Sequence, residues 1–241
     1  MNNQKNINKR NFLFLILFFI STTLISLKTL KKVSIQNIRT SGSKLFTKDD
    51  LVNNSSLELP IRLIYIETKL LEKELKQNLS LKNVSVNREI FPFGLKVEIH
   101  TRIPIAYGER LINKKKILGF IDKDGIFIDK QYADKNKLNK LTLKVFGWKK
   151  EFKEILSEIL MAKDNYEFEV TEISFSPNGF LTIKEKDLNT ILLGFNPNLI
   201  NYQLQIINNL KKEFKKNNFP KKIDNIDLTD PNKPKIKVFK P

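Results

Sequence analysis

Residues 83–106, NVSVNREIFPFGLKVEIHTRIPIA, decide how the first part of this chain folds. Val84 and Val86 alternate with polar residues, and Leu95 begins a second run with the same period of two, which is typical of half-buried strands. Residues 91–94 separate the two runs with a proline and a glycine, which favour a turn. The segment therefore predicts two neighbouring strands joined by a short connection.

Shorter elements precede this segment. Residues 33–38 alternate as a strand, and residues 41–43 are typical of a turn. Thr47 stands just before two aspartates, which predicts an N-cap and the acidic first turn of a short helix. Leucines at helical spacing between residues 70 and 79 predict a second helix, with Thr68 as its cap. The predicted order is strand, helix, helix, strand, strand.

This order resembles a POTRA domain, and more narrowly the FtsQ/DivIB family of bacterial cell-division proteins. The residues that carry the resemblance lie in the predicted strands, the second helix and the turns: Ile38, Gly42, Leu70, Leu79, Asn83, Val84, Arg88, Pro92 and Leu95. Residues 102–106, RIPIA, resemble the family's E-R-x-P-x-A ending, with Thr101 where the family has Glu. The resemblance implies a POTRA domain over residues 33–107.

The rest of the chain resembles the second module of the same family. Residues 119–127, GFIDKDGIF, are similar to the hairpin that enters the family's β domain. Asp122 and Asp124 would also fit the start of a calcium loop. The further acidic ligands of an EF-hand are missing, however, so a D-G hairpin turn is the preferred interpretation. The resemblance implies a β domain over residues 111–241.

Periodicity predicts the elements within this module. Apolar residues at helical spacing predict helices over residues 152–160 and 196–214, the second opened by Asn196 as a cap and Pro197 in the first turn. Alternation predicts strands at 170–175, 180–184, 190–193, 226–229 and 235–239. The expected fold class is α+β, with an N-terminal transmembrane helix, a small β-α-α-β-β POTRA domain and a mixed α/β module whose sheet is mainly antiparallel.

An uncharged and strongly apolar stretch lies between Arg10 and Lys28. As a helix it would be about 25 Å long, slightly short of a hydrocarbon core of about 30 Å. We expect a cytoplasmic tail over residues 1–10 and a transmembrane anchor over residues 11–30. This gives a single-pass type II protein of the cytoplasmic (inner) membrane, with the bulk of the chain extracytoplasmic. A cleaved signal peptide is the alternative, but no A-x-A-like site follows the stretch. Basic residues flank both ends, so charge alone does not fix the orientation.

Composition excludes several kinds of chemistry. The chain has 43 Lys and Arg against 26 Asp and Glu, a formal net charge of +17. The lysines are spread along the chain, however, and no basic-aromatic motif appears, so we expect no nucleic-acid partner. With no Cys and a single histidine, His100, on the polar face of a strand, we expect no catalytic residues, no cofactor and no metal. Gly-rich phosphate loops and nucleophile elbows are also missing from the sequence.

Recognition through strand edges is the mechanism that remains. The closing strand is the candidate partner-binding segment, and its residues are Lys235, Ile236, Lys237, Val238 and Phe239. Its lysines, continued by Lys240, alternate with Ile236 and Val238. We therefore expect one buried face and one charged face that meets an acidic partner. Edge lysines also protect sheets against unwanted pairing, which is the competing interpretation.

The family resemblance implies a non-enzymatic scaffold of the cell-division complex at the division septum. The partners it implies are single-pass coiled-coil proteins of the FtsB/DivIC and FtsL types. Two alternatives stay open: a POTRA-containing component of protein export or outer-membrane assembly, and a membrane-tethered nucleic-acid binder. The first alternative is disfavoured because the chain is too short for several POTRA copies and a barrel. The second is disfavoured because no RNP-type motif appears.

Overall fold

The computed structural model describes residues 2–29, 31–134, 138, 141–166, 168–216 and 222–239, with only the helical backbone for residues 2–10 and 28–29. The chain divides into two compact units, Met1–Thr101 and Arg102–Pro241. Lys240, named above with the closing strand, lies outside the described residues. The domain limits expected from the sequence, 33–107 and 111–241, stay predictions.

The first unit opens with helix α1 (Asn2–Thr29). The structure corrects the expected transmembrane anchor over residues 11–30: within the ranges given above, no helix is both long and apolar enough to cross a membrane. The part of the predicted fold class that required a membrane-spanning helix is therefore wrong.

The other elements of the first unit are short: β1 (Lys32–Val33), β2 (Ile38–Ser41), α2 (Lys48–Asn53), β3 (Ile61–Arg62), α3 (Thr68–Asn78), β4 (Asn83–Glu89) and β5 (Gly94–His100). Strands β2, β5 and β4 form a sheet in that order, with β2 parallel and β4 antiparallel to β5. The strand expected over residues 33–38 is interrupted by a 3-10 turn at Ile35–Asn37. The turn is held by the Asn37 side-chain oxygen, which accepts a hydrogen bond from the Ser34 backbone N–H at 3.0 Å.

The two helices of this unit begin in different ways. Thr47 caps α2 as expected, because its hydroxyl accepts the Asp50 N–H at 3.1 Å while the Asp50 carboxylate accepts the Thr47 N–H at 2.8 Å. Thr68 is instead the first residue of α3, and the preceding Glu67 makes no side-chain cap. The sequence therefore predicts the existence of both helices, but the cap of only one.

Helix α3 also closes the outer edge of strand β4. The Glu72 carboxylate on α3 accepts the Val86 backbone N–H at 2.9 Å. This hydrogen bond, together with the ion pair to Lys69, holds the pKa of Glu72 below its ordinary value. Farther along the strand, the Arg88 guanidinium donates to the Ile66 carbonyl at 3.1 Å. One backbone N–H of β4 is therefore capped by a side chain of α3, and Arg88 ties the strand to the segment before α3.

The second unit is built on one large mixed sheet with two helices. Its elements are β6 (Pro104–Ile112), β7 (Lys115–Asp122), β8 (Phe127–Asp129), β9 (Leu143–Trp148), α4 (Lys153–Asn165), β10 (Val170–Phe175), β11 (Leu181–Glu185), β12 (Asn189–Gly194), α5 (Ile200–Lys216), β13 (Ile223–Asp227) and β14 (Lys235–Val238). The described strands form a nine-stranded sheet in the order β14-β13-β12-β11-β10-β9-β6-β7-β8.

Parallel and antiparallel pairs follow from the connections between these strands. Strands β9 and β10 are parallel and are joined through α4, and β12 and β13 are parallel and are joined through α5. The β6–β9 pair is also parallel, whereas the other neighbours are antiparallel hairpins. Pro104, in the middle of the RIPIA segment, begins the first strand of this second unit.

Both helices bury their apolar faces on the same core as the sheet. The buried residues of this core on the helices are Leu156, Ile159, Leu160, Ile200, Leu204 and Ile207, and those on the strands include Ile173, Ile183, Ile191 and Ile226. Residues at alternate positions of the same strands, such as Glu172, Lys184 and Thr190, are polar and form the opposite face.

Polar contacts fix α5 at two points along its length. Near the start of the helix, the fully buried Gln203 donates its amide N–H groups to the Leu193 carbonyl at 2.8 Å and the Leu228 carbonyl at 2.7 Å. Near the end, the buried Lys211 ammonium lies 2.5 Å from the Glu185 carboxylate. These contacts set α5 against β11, β12 and the residue that follows β13, and β13 is the strand that pairs with the last strand of the sheet.

Candidate functional site

Strand β14, which contains four of the five candidate residues, is the last strand of the nine-stranded sheet. It pairs antiparallel with β13 alone, in the register Lys235 to Asp227, Ile236 to Ile226 and Lys237 to Asn225. A register shift between Ile223 and Asn225 marks a bulge on the partner strand. On its other side, β14 has no strand neighbour among the described residues.

The backbone of β14 offers hydrogen-bonding groups to this open side. The Phe239 N–H donates to the Lys222 carbonyl at 3.0 Å, so Phe239 directs its backbone toward β13. Alternate residues of an antiparallel strand direct their backbone groups to opposite sides. Lys237 and Lys235 therefore face β13 as Phe239 does, whereas Ile236 and Val238 direct their N–H and C=O groups outward. These two residues form a ladder that an extended peptide could join.

The side chains of the strand are more exposed than the sequence indicated. Ile236 is 40% exposed, although its neighbour across the strand pair, Ile226, is completely buried. The helices that cover the sheet therefore reach only as far as β13. The expected burial of one face of the closing strand is not found. Phe239 is 46% exposed as well, and the Lys222 ammonium lies 5.5 Å from the centre of its ring. The edge thus combines apolar side chains with positive charge.

The lysines of β14 lie on the polar face of the sheet. Both are exposed, and the Lys237 ammonium lies 3.3 Å from the Asp224 carboxylate of the adjacent strand. An exposed ion pair of this kind contributes at most about 1 kcal/mol and exchanges readily for another partner. Lys235 and Lys237 are therefore free to meet an acidic surface.

A loop over residues 228–234 connects β13 with β14, and it opens with a side-chain turn at Asp227. The Asp227 carboxylate accepts the Thr229 hydroxyl at 2.6 Å and the Thr229 N–H at 3.0 Å. These hydrogen bonds, helped by the charge of Lys235, hold the pKa of Asp227 below its ordinary value. The structure gives Thr229 this turn-forming role, which sequence reasoning missed.

The opposite end of the sheet is less open. Strand β8 is three residues long, and both Phe127 and Ile128 are buried. Ile128 belongs to a small apolar cluster with Phe120 and Ala133, and the residue that follows the strand already starts a 3-10 turn. A short and covered strand is a common way to block an edge. The accessible edge of this sheet is therefore β14.

The two aspartates that raised the question of calcium serve the local structure instead. The Asp122 carboxylate accepts the N–H groups of Asp124 at 3.0 Å and Ile126 at 2.8 Å, and it pairs with the buried Arg102 at 2.5 Å. Gly125 has a φ of 71°, and its N–H donates to the Asp122 carbonyl, as a tight turn requires. Throughout the described ranges, no three His, Cys, Asp or Glu side chains gather as metal ligands.

A lysine-lined cleft lies where α4 and α5 end. Its volume is about 430 Å³, and its lining includes Asn165, Asn208, Lys211 and Lys212. Lysines near a helix C-terminus complement the negative end of the helix dipole. In addition, burial opposes the charge of Lys211, yet the hydrogen bonds that its ammonium donates to Glu185 and Asp187 raise its pKa overall. The charge of Lys211 is accounted for by these structural contacts.

One comparison with known proteins bears on the first unit. Residues 33–102 match the family model described as the POTRA domain, FtsQ-type. This match confirms the resemblance to the FtsQ/DivIB family, and it ends one residue beyond the division between the two units. No curated protein matches the chain. The match covers less than a third of the chain, so the second unit is described by its own structure.

Proposed function

Since residues 33–102 are an FtsQ-type POTRA domain, we propose that this protein is a non-enzymatic scaffold of the bacterial cell-division complex. The observation that carries the proposal is this domain, whose family is known as non-catalytic and acts in division. The geometry of the second unit supports the same function, because its accessible feature is a strand edge that binds by shape, hydrogen bonding and charge.

The scaffold would bind extended segments of other division proteins along β14. Ile236 and Val238 supply outward backbone groups, Phe239 supplies an exposed ring, and the lysines on the polar face supply charge. A segment with alternating apolar and acidic residues would complement this edge. We propose that the partners are proteins of the FtsB/DivIC and FtsL types, and that binding takes place outside the cytoplasmic membrane at the septum.

The proposal is tested by the location of the protein in dividing cells. A fluorescent fusion of the full chain is expected at midcell in cells that are constricting, and depletion of the protein should produce filaments. A uniform distribution in constricting cells, together with normal division after depletion, would contradict the scaffold function.

Binding to the proposed partners is tested separately. Purified full-length chain should retain the FtsB/DivIC-type protein, and the FtsL-type protein in its presence, with an affinity that falls at high salt because charged groups contribute. Midcell location without any such retention would keep the scaffold function and reject these partners.

A further inference from the structure

The hairpin of β6 and β7 extends beyond the strands on either side of it. Its own pairing continues to the pair of Ile112 with Lys115. Strand β9, in contrast, pairs with β6 only as far as Arg110, and β8 pairs with β7 only over residues 119–121. Residues 111–118, called the hairpin tip below, therefore pair only within this hairpin, the last two of them, Ile117 and Leu118, with Arg110 and Glu109. Asn113 and Lys114 have φ values of 50° and 63°, as the two central residues of a type I′ turn require.

The hairpin tip exposes large apolar side chains. Leu118 is 64% exposed, Leu111 is 49% exposed and Ile112 is 42% exposed. Leu118 lies opposite Glu109, so it is a diagonal neighbour of Leu111 on the same face of the hairpin. Ile112 alternates to the other face, so Leu111 and Leu118 form an apolar pair on one face and Ile112 stands on the other. Single exposed apolar residues are ordinary, but several at one projecting tip mark a surface of interaction.

Positive charge surrounds these apolar side chains. Lys114, Lys115 and Lys116 are consecutive and exposed. Lys116 lies 3.0 Å from the Glu109 carboxylate, which neutralises one of the three. Lys114 and Lys115 have no ion-pair partner among the side chains that the structure describes. The hairpin tip therefore carries an uncompensated charge beside its leucines.

We propose that the hairpin tip docks into the surface of an anionic phospholipid bilayer. A projecting tip fits a flat surface, where its apolar side chains reach the boundary of the acyl chains while the ammonium groups meet lipid phosphates. A partner protein would have to supply an apolar groove with an acidic rim. An anionic bilayer offers an apolar interior and negatively charged phosphates over its whole surface. This contact is independent of the edge strand and does not rest on the proposed division partners.

The absence of cysteine makes a local test straightforward. The full chain carries one introduced cysteine, Leu118→Cys, labelled with an environment-sensitive fluorophore, in vesicles of phosphatidylcholine with or without 30% phosphatidylglycerol. Helix α1 also exposes apolar side chains, so total binding to vesicles would not isolate the hairpin tip, and the readout is the label itself. We expect a blue shift and quenching by spin-labelled lipid that require phosphatidylglycerol and decline at high salt.

Two sets of variants distinguish specific binding by the hairpin tip from the general attraction of a basic protein to an anionic membrane. The double variant Lys114→Gln and Lys115→Gln should weaken the apparent affinity that the label reports by roughly 25-fold, at about fivefold per lysine near an anionic surface. The matched double variant Lys212→Gln and Lys216→Gln, on α5, should leave the response unchanged. A label at Phe195→Cys, which is equally exposed in the same unit, should stay in a watery environment.

The proposal is overturned by any of three results. The first is a label at residue 118 that stays water-exposed in all vesicles, and the second is an equal response in vesicles of phosphatidylcholine alone. The third is a response that appears only after a protein partner is added, which would assign the hairpin tip to a protein interface.

Discussion

Replacing Ile236 by proline tests whether the open edge of β14 binds a partner. The N–H of Ile236 points away from β13, so its loss does not remove a hydrogen bond within the sheet. Proline is tolerated on edge strands when the missing N–H faces solvent. The Ile236→Pro variant should therefore remain folded, with a melting temperature within a few degrees of the parent, and lose only an outward donor.

The expected loss of affinity follows from this single donor. A net hydrogen bond contributes about 1 kcal/mol, and a carbonyl of the partner left unpaired in the interface costs about 1–3 kcal/mol. Binding should weaken by roughly 10-fold to 100-fold, since about 1.4 kcal/mol corresponds to a factor of ten. Isothermal titration calorimetry with the FtsB/DivIC-type partner provides the measurement.

Two control variants make the interpretation unambiguous. Ile236→Ala keeps the backbone donor but shortens a side chain that is 40% exposed, so it reports the contribution of the side chain alone. Lys237→Pro removes an N–H that faces β13, so it should destabilise the strand and lower the melting temperature. If the folded Ile236→Pro variant binds as tightly as Ile236→Ala, the edge is not a binding surface, and its lysines protect it from pairing.

Three further predictions concern charge and stability. The Lys237→Glu variant should bind an acidic partner more weakly than the parent, with a larger difference at low salt than at high salt, as titrations at two ionic strengths would reveal. Lys211→Met leaves its buried carboxylate partner unpaired and should cost about 3 kcal/mol in chemical denaturation, whereas the exposed neighbour variant Lys212→Met should change stability by less than about 0.5 kcal/mol. Thr229→Ala should raise the pKa of Asp227 toward its ordinary value of 3.8, measured by NMR titration. Because the pKa of Asp227 is lowered in the folded state, this carboxylate stabilises the fold above pH 4, and the stabilisation is lost as the pH falls through the folded pKa. The Thr229→Ala variant should lose less stability over this pH range.

Local patterns in the sequence were sufficient for the elements whose partners are close in the chain. Strands β4 and β5 form a hairpin with strict alternation, and the leucines of α3 recur at helical spacing. In each case the spacing of the apolar residues indicates which face of the element is buried. The resemblance of residues 33–102 to an FtsQ-type domain depended on this region and is confirmed.

Features that depend on distant contacts were not visible in the sequence. Strands β6 and β9 lie side by side in the sheet, but 30 residues and two other strands separate their ends, and neither was predicted as a strand of this sheet. The exposure of Ile236 is a similar case, since it depends on where the helix layer stops. The expected membrane-spanning helix was wrong, since no helix in the described part of the chain is both long and apolar enough to cross a membrane.

The order of strands in the second unit determines how far apart the proposed peptide site at β14 and the hairpin tip of β6 and β7 would lie. Six steps between neighbouring strands separate β14 from β6, and at about 4.8 Å per step this is roughly 29 Å across the sheet. A peptide added at β14 would lengthen the sheet away from the hairpin tip, so neither contact obstructs the other. The sheet would therefore act as a rigid spacer, able to hold a bound protein segment at a constant distance from a second surface while both are occupied.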